Sequence, residues 1–183
     1  MVEAAGQNIG AQPENAALRQ SSEQSSEQCS EQSSEQFSPL LLGTYNPKID
    51  SKGRITLPSK FRSHLTGGLV FARGQERCVY ILPQNEFRRI AAQIQHTSLS
   101  NKAARSYLRV FLSGAVDDVP DKQGRVIVPQ ILRKYAGIEK DVTVIGVGTR
   151  AEIWDTAAWE EYLASQEEDY SNMADDVLPE VDF

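Results

Sequence analysis

DSKGRITLPSKFR (Asp50–Arg62) and DKQGRVIVPQILR (Asp121–Arg133) are one phrase written twice, 71 residues apart. An aspartate at the first position of a turn accepts hydrogen bonds from backbone N–H groups two or three residues on. A glycine three positions later supplies positive φ. The strand that follows alternates, with Ile55 and Leu57 inward and Arg54 and Thr56 outward. The second copy repeats this with Val126 and Val128 inward and Arg125 and Ile127 outward. Pro58 and Pro129 end the strands and suit the first turn of a short helix, PSKFRSHL or PQILRKYA. Phe61 and Leu132 then face the core, and Arg62 and Arg133 are placed to reach back. Turn chemistry accounts for Asp50, Gly53, Asp121, Gly124 and the prolines. It does not account for Arg54 and Arg125. On chemistry alone each is either a clamp on its own aspartate or an exposed cation for a phosphate or a base edge.

The correspondence runs wider than the phrase. At an offset of 71, Gly43 matches Gly114; at 72, Val70 matches Val142, Ile81 matches Ile153 and Phe87 matches Trp159. An internal duplication is the simplest account. Each half is too small to bury its own apolar face, so two halves about a pseudo-twofold axis are expected to share one core. Short strands are expected at LLGTY, RITLP, GLVFAR, CVYILP, GAVDD, RVIVP, DVTVIGVG and AEIWD. Helical spacing marks QNEFRRIAAQIQ and NKAARSYLRVFL, the latter capped by Ser100, and a last helix AAWEEYLASQEED capped by Thr156. The fold class is α+β with a mostly β core.

The chain of 183 residues carries a formal charge of −6, but the charge is segregated. Residues 1–39 hold one base and six acids, and residues 164–183 hold seven acids and no base. From Lys48 to Arg109 there are 12 bases against three acids, and from Val110 to Leu163 six against nine. A basic middle between acidic ends makes a polyanion partner plausible. No apolar stretch is long enough to span a membrane, and the N-terminus lacks the pattern of a secretory signal. Cys29 and Cys78 have neither CxxC spacing nor matching histidines, so no metal site and no disulfide is expected. His64 and His96 sit in unrelated contexts, no P-loop, GxSxG or HExxH pattern is present, and no cofactor or small-molecule substrate is expected. The chain is read as not an enzyme.

LGTYNPKIDSKGRITLPSKFR together with the second DKQGRVIVPQILR resembles the MraZ family of bacterial transcription regulators, relatives of the AbrB-type swapped-hairpin fold. The resemblance covers residues 40–163. It implies two tandem swapped-hairpin units forming an intramolecular pseudo-dimeric barrel with flanking helices. The units are 40–112 with its helices and 113–163 with the C-terminal helix, followed by an acidic tail at 164–183. It also implies ring-like homo-oligomers that bind direct repeats of double-stranded DNA upstream of the family's own division and cell-wall operon, in the cytoplasm and on the nucleoid. Family DNA contacts in and beside the DxxGR segment carry over to Lys52, Arg54 and Arg125. The second copy has Gln123 in place of Lys52, so the copies need not be equivalent.

Two other functions compete with this one. One is an oligomeric ring-forming scaffold without specific DNA binding; a DNA reader is expected to bind duplex with a steep salt dependence, and a pure scaffold to show none that is specific. The other is an antitoxin-like AbrB relative, which the fused units and the intervening helices disfavour. Residues 1–38 are expected to be a disordered extension, because SSEQSSEQCSEQSSEQ cannot repay the entropy of ordering. The resemblance also places Leu40 where relatives would start with Met. On that reading residues 1–39 are translated upstream DNA, and the tetrapeptide repeat is the operator read as protein.

Overall fold

The computed structural model describes residues 40–97 and 101–177, together with Met1. The expectations for residues 1–38, their disorder and the alternative start included, lie outside the described residues. Among the described residues, thirteen elements follow from Leu41. They are β1 (Leu41–Tyr45), β2 (Arg54–Thr56), α1 (Ser59–Leu65), β3 (Leu69–Arg73), β4 (Val79–Pro83), α2 (Gln84–Thr97), α3 (Lys102–Ser113), β5 (Val116–Asp118), β6 (Arg125–Ile127), α4 (Gln130–Tyr135), β7 (Val142–Gly148), β8 (Arg150–Asp155) and α5 (Thr156–Val177). A single 3-10 turn, Gln75–Arg77, joins β3 to β4.

The fold is mixed α+β. Six strands form an antiparallel sheet in the order β1-β7-β8-β4-β3-β5, and β2 pairs with β6 in a separate ribbon. The halves are exchanged at three places. Strand β1 of the first half pairs with β7 of the second, β5 of the second with β3 of the first, and the ribbon takes one strand from each. Opposition of Tyr45 to Val144 is repeated by that of Val116 to Phe71, as a pseudo-twofold requires. The two strands flanking the first phrase's turn therefore do not pair with each other. Exchange puts Ile55, Leu57, Phe61, Phe71 and Ile81 in one buried cluster with Val126, Val128, Leu132, Val144 and Ile153. Full burial of each large apolar side chain contributes about 1.5–3 kcal/mol, which neither half could gain alone.

The opposite face of the sheet is covered by helices. Phe87, Ile90 and Phe111 of α2 and α3 pack on Ala72 and Leu82. Trp159 and Tyr162 of α5 pack on Trp154 and Ile145. Buried Glu152 beneath them accepts from Arg150 at 2.9 Å and from Trp154 Nε1 at 3.1 Å. Burial, and then the charge of Glu152, push the neighbouring Cys78 thiol far up, so it stays protonated and inert.

Four local expectations need correction. Val70 is not the counterpart of Val142: Leu69 and Phe71 face the core where Val142 and Val144 do. The connection before β7 is two residues longer than that before β3, and the following hairpin is one residue shorter; a one-residue error of register exchanges the faces of a strand. Helix α3 is capped by Asn101, whose Oδ1 accepts from Ala103 N at 2.9 Å and Ala104 N at 3.2 Å, not by Ser100, which lies outside the described residues. At α5 the cap is Asp155, accepting from Ala157 N at 3.1 Å and Ala158 N at 3.2 Å; the hydroxyl of Thr156 instead bonds that of Thr143. Finally, α5 runs past Asp169 to Val177.

Candidate nucleic-acid interface

Each phrase builds the same clamp. Asp50 Oδ1 accepts from Lys52 N and Arg54 N, both at 2.9 Å, and its Oδ2 from Arg54 Nε at 2.7 Å. Asp121 Oδ1 accepts from Gln123 N at 2.8 Å and Arg125 N at 2.9 Å, and its Oδ2 from Arg125 Nε at 2.7 Å. The backbone closes both turns, with Gly53 N donating to Asp50 O at 2.9 Å and Gly124 N to Asp121 O at 2.8 Å. The arginine backbone N–H, followed by its side chain, holds each aspartate below the usual carboxylate value. The clamp reading of Arg54 and Arg125 is therefore realised in the geometry. It does not consume them: each side chain remains 41 % exposed. Only Nε is engaged in the ion pair, and a guanidinium fixed at Nε presents its outer edge in one orientation.

The ribbon brings the two arginines together. Arg54 lies opposite Ile127, and Thr56 opposite Arg125. With Ile55 and Val126 buried, the solvent face of the ribbon consists of Arg54, Thr56, Arg125 and Ile127. A two-stranded ribbon of this kind fits the major groove of B-DNA. Reciprocal contacts hold it rigid. Leu57 N donates to Gly124 O and Val128 N to Gly53 O, both at 2.8 Å. Arg62 Nε donates back to Leu57 O at 3.0 Å and Arg133 Nε to Val128 O at 3.1 Å. Each of these arginines lies over the other half's turn glycine. A Cβ on Gly53 (φ +80°) would sit 2.9 Å from Arg133 Nε, and one on Gly124 (φ +73°) would collide with Arg62 Nε.

The surroundings of the two clamps differ. Residues 46–54, NPKIDSKGR, carry three bases and one acid; residues 117–125, DDVPDKQGR, carry two bases and three acids. Lys52 stands exposed in the first turn where Gln123 stands in the second. Asp118, not singled out from sequence, accepts from Val119 N at 2.8 Å and from Ile127 N at 3.3 Å on the edge of β6. The signal was present, since an offset of 71 sets Asp117 and Asp118 against Asn46 and Pro47. Among the described residues no helix is long and apolar enough to cross a membrane, and no cluster of His, Cys, Asp and Glu is arranged to hold a metal.

Comparison with known proteins matches the two halves of the sequence separately. The family model described as "MraZ protein, putative antitoxin-like" matches twice in tandem, over residues 40–110 and 111–179. The chain is similar to the transcriptional regulator MraZ of Bifidobacterium longum, 72 % identical over 145 residues, covering 79 % of this chain and 97 % of that protein. It is similar also to the transcriptional regulator MraZ of Micrococcus luteus, 57 % identical over 142 residues, covering 78 % and 99 % of the two chains.

Proposed function

The chain belongs to the MraZ family of transcriptional regulators, and we propose that it regulates transcription by binding direct repeats of double-stranded DNA upstream of its own division and cell-wall operon. The observation that carries this reading is the ribbon face, with two arginines aimed outward by their own aspartates on a rigid two-stranded scaffold. In this reading Arg54 and Arg125 read base edges and Lys52 contacts phosphate. Residues 40–112 and 113–163 are the two swapped-hairpin units, closing as a pseudo-dimeric barrel, and 164–183 is an acidic stretch that begins within α5. Lower positive charge around the second clamp makes the first the principal DNA contact. Unequal hairpins suit direct repeats, because a ribbon read equally from both sides would favour a palindrome.

The protein works in this account as a homo-oligomeric ring in the cytoplasm, on the nucleoid, each repeat engaging one subunit. Charge polarity supports association of copies: α3 carries three bases and no acid, α5 seven acids and no base. A ring without specific DNA binding is the alternative function. Titration of the full chain against a duplex from its own promoter region, across a salt series, separates the two. A regulator shows affinity falling steeply with salt and a preference over scrambled duplex. Equal affinity for promoter and scrambled DNA would leave only the scaffold.

A further inference from the structure

The outer edges of the ribbon differ in one backbone donor. Directly after β2 and β6, Leu57 N and Val128 N point across the ribbon. Alternation along an antiparallel strand therefore points the N–H groups of Arg54, Thr56, Arg125 and Ile127 outward. Three of these four have partners: Arg54 N and Arg125 N are held by their aspartates, and Ile127 N by Asp118 Oδ2 at 3.3 Å. Thr56 N has no acceptor among the described residues. The pseudo-twofold counterpart of Asp118 is Pro47, whose ring offers none.

We propose that a DNA backbone phosphate sits on the outer edge of β2, taking the Thr56 N–H and hydroxyl beside Lys52 and Arg54, and that the Asp118 carboxylate fills the equivalent place on β6. This rests on the DNA-binding reading above and adds a subsite to it. A ribbon lying in the major groove turns its face to the bases and its two edges to the two flanking phosphate strands. On the β2 edge an anion meets a free N–H, an exposed hydroxyl and two cations. On the β6 edge the corresponding donor already holds an anion, and Asp117 adds a second negative charge. Asp118 is thus an internal stand-in for phosphate, and it repels a real one. Only one edge accepts the DNA backbone, which gives an almost twofold ribbon a fixed polarity on the duplex.

The test is fluorescence anisotropy of the full chain with a promoter duplex over a salt series, with thermal melts to establish that each variant is folded. Pro47→Asp, which puts the carboxylate on the open edge, should weaken binding about tenfold and lower the salt slope by about one phosphate contact. Thr56→Val, which keeps the strand and removes the hydroxyl, should weaken it severalfold. Asp118→Asn should tighten it severalfold and raise the slope. Wild-type chain that binds no promoter DNA would overturn the DNA reading itself. Wild-type binding with folded Pro47→Asp and Thr56→Val variants within twofold of it at every salt concentration would overturn the β2 subsite alone. An Asp118→Asn variant no tighter than wild type would overturn the role given to Asp118.

Discussion

The turn at Asp50–Arg54 and the turn at Asp121–Arg125 have the same skeleton and different surroundings. Their clamp bonds agree within 0.1 Å, and their arginines are equally exposed. Around this shared frame the first turn carries Lys48 and Lys52, and the second carries Lys122 with Asp117, Asp118 and Gln123. The frame is what folding requires, because each half supplies one ribbon strand and locks the other's glycine. The charges around that frame are where the halves diverge. Duplication therefore preserves the device that builds the ribbon and leaves its electrostatics free to specialise.

The largest effect that sharpens this comparison concerns the glycines. Gly124→Ala forces a side chain into left-handed backbone, costing about 1–2 kcal/mol, and drives Arg62 off the Leu57 carbonyl, costing about 1 kcal/mol more. Gly53→Ala should cost a similar amount through Arg133. Chemical denaturation of both variants should give losses within about 1 kcal/mol of each other, with Gly124→Ala the larger because its Cβ meets Arg62 more closely. A loss confined to one glycine would show that the two locks are not equivalent, and the shared frame would fail.

A smaller effect tests the divergence. Lys52→Gln should lower the salt slope of DNA binding by about one, and Gln123→Lys should raise it by less than that. Melting temperatures should not move for either, since both positions are exposed turn residues. Equal and opposite slopes would mean that both turns lie at the same distance from phosphate.

The smallest effect is the pH response of the clamps. Both carboxyls titrate below their ordinary value of 3.8. A lowered folded value means that the clamp's stabilisation is fully present above the ordinary value and is lost as pH falls through the lower one. Amide signals of Arg54 and Arg125, followed by NMR, should stay fixed from neutral pH down to about 4 and then move together. Movement of one well before the other would separate the frames as well as the surroundings.

Much of this was legible in the sequence because the phrase is local chemistry. Asp50, Gly53, Pro58 and their copies specify turn, strand and helix within thirteen residues, and alternation placed Ile55 and Val126 inside and Arg54 and Arg125 outside. The mixed α+β class follows from the strand and helix patterns along the chain, and the family from the double motif. The misplaced caps arose where two capping residues stand side by side. Ser100 precedes Asn101 and Asp155 precedes Thr156, and only the backbone path decides which side chain reaches the free N–H groups. Periodicity does not mark the core face of β3, because Leu69, Val70 and Phe71 are all apolar and all buried, so its register against β7 is not legible in the sequence. The offset of 71 marks Asp118 as a point of divergence but not its bond, because the partner, Ile127 N–H, is nine residues away and belongs to another strand. The free N–H of Thr56 is visible only once the pairing of β2 with β6 is known.

If one frame serves two unequal DNA contacts, Arg54→Ala and Arg125→Ala must differ in their effect on DNA binding. Each removes the same side chain from the same geometry, so any difference in DNA affinity reports the surroundings alone. With folding verified by thermal melts and salt held constant, gel shifts on a promoter duplex should show Arg54→Ala weakened by about 1–3 kcal/mol, and Arg125→Ala weakened less. Equal losses from the two substitutions, or a larger loss from Arg125→Ala, would contradict the account.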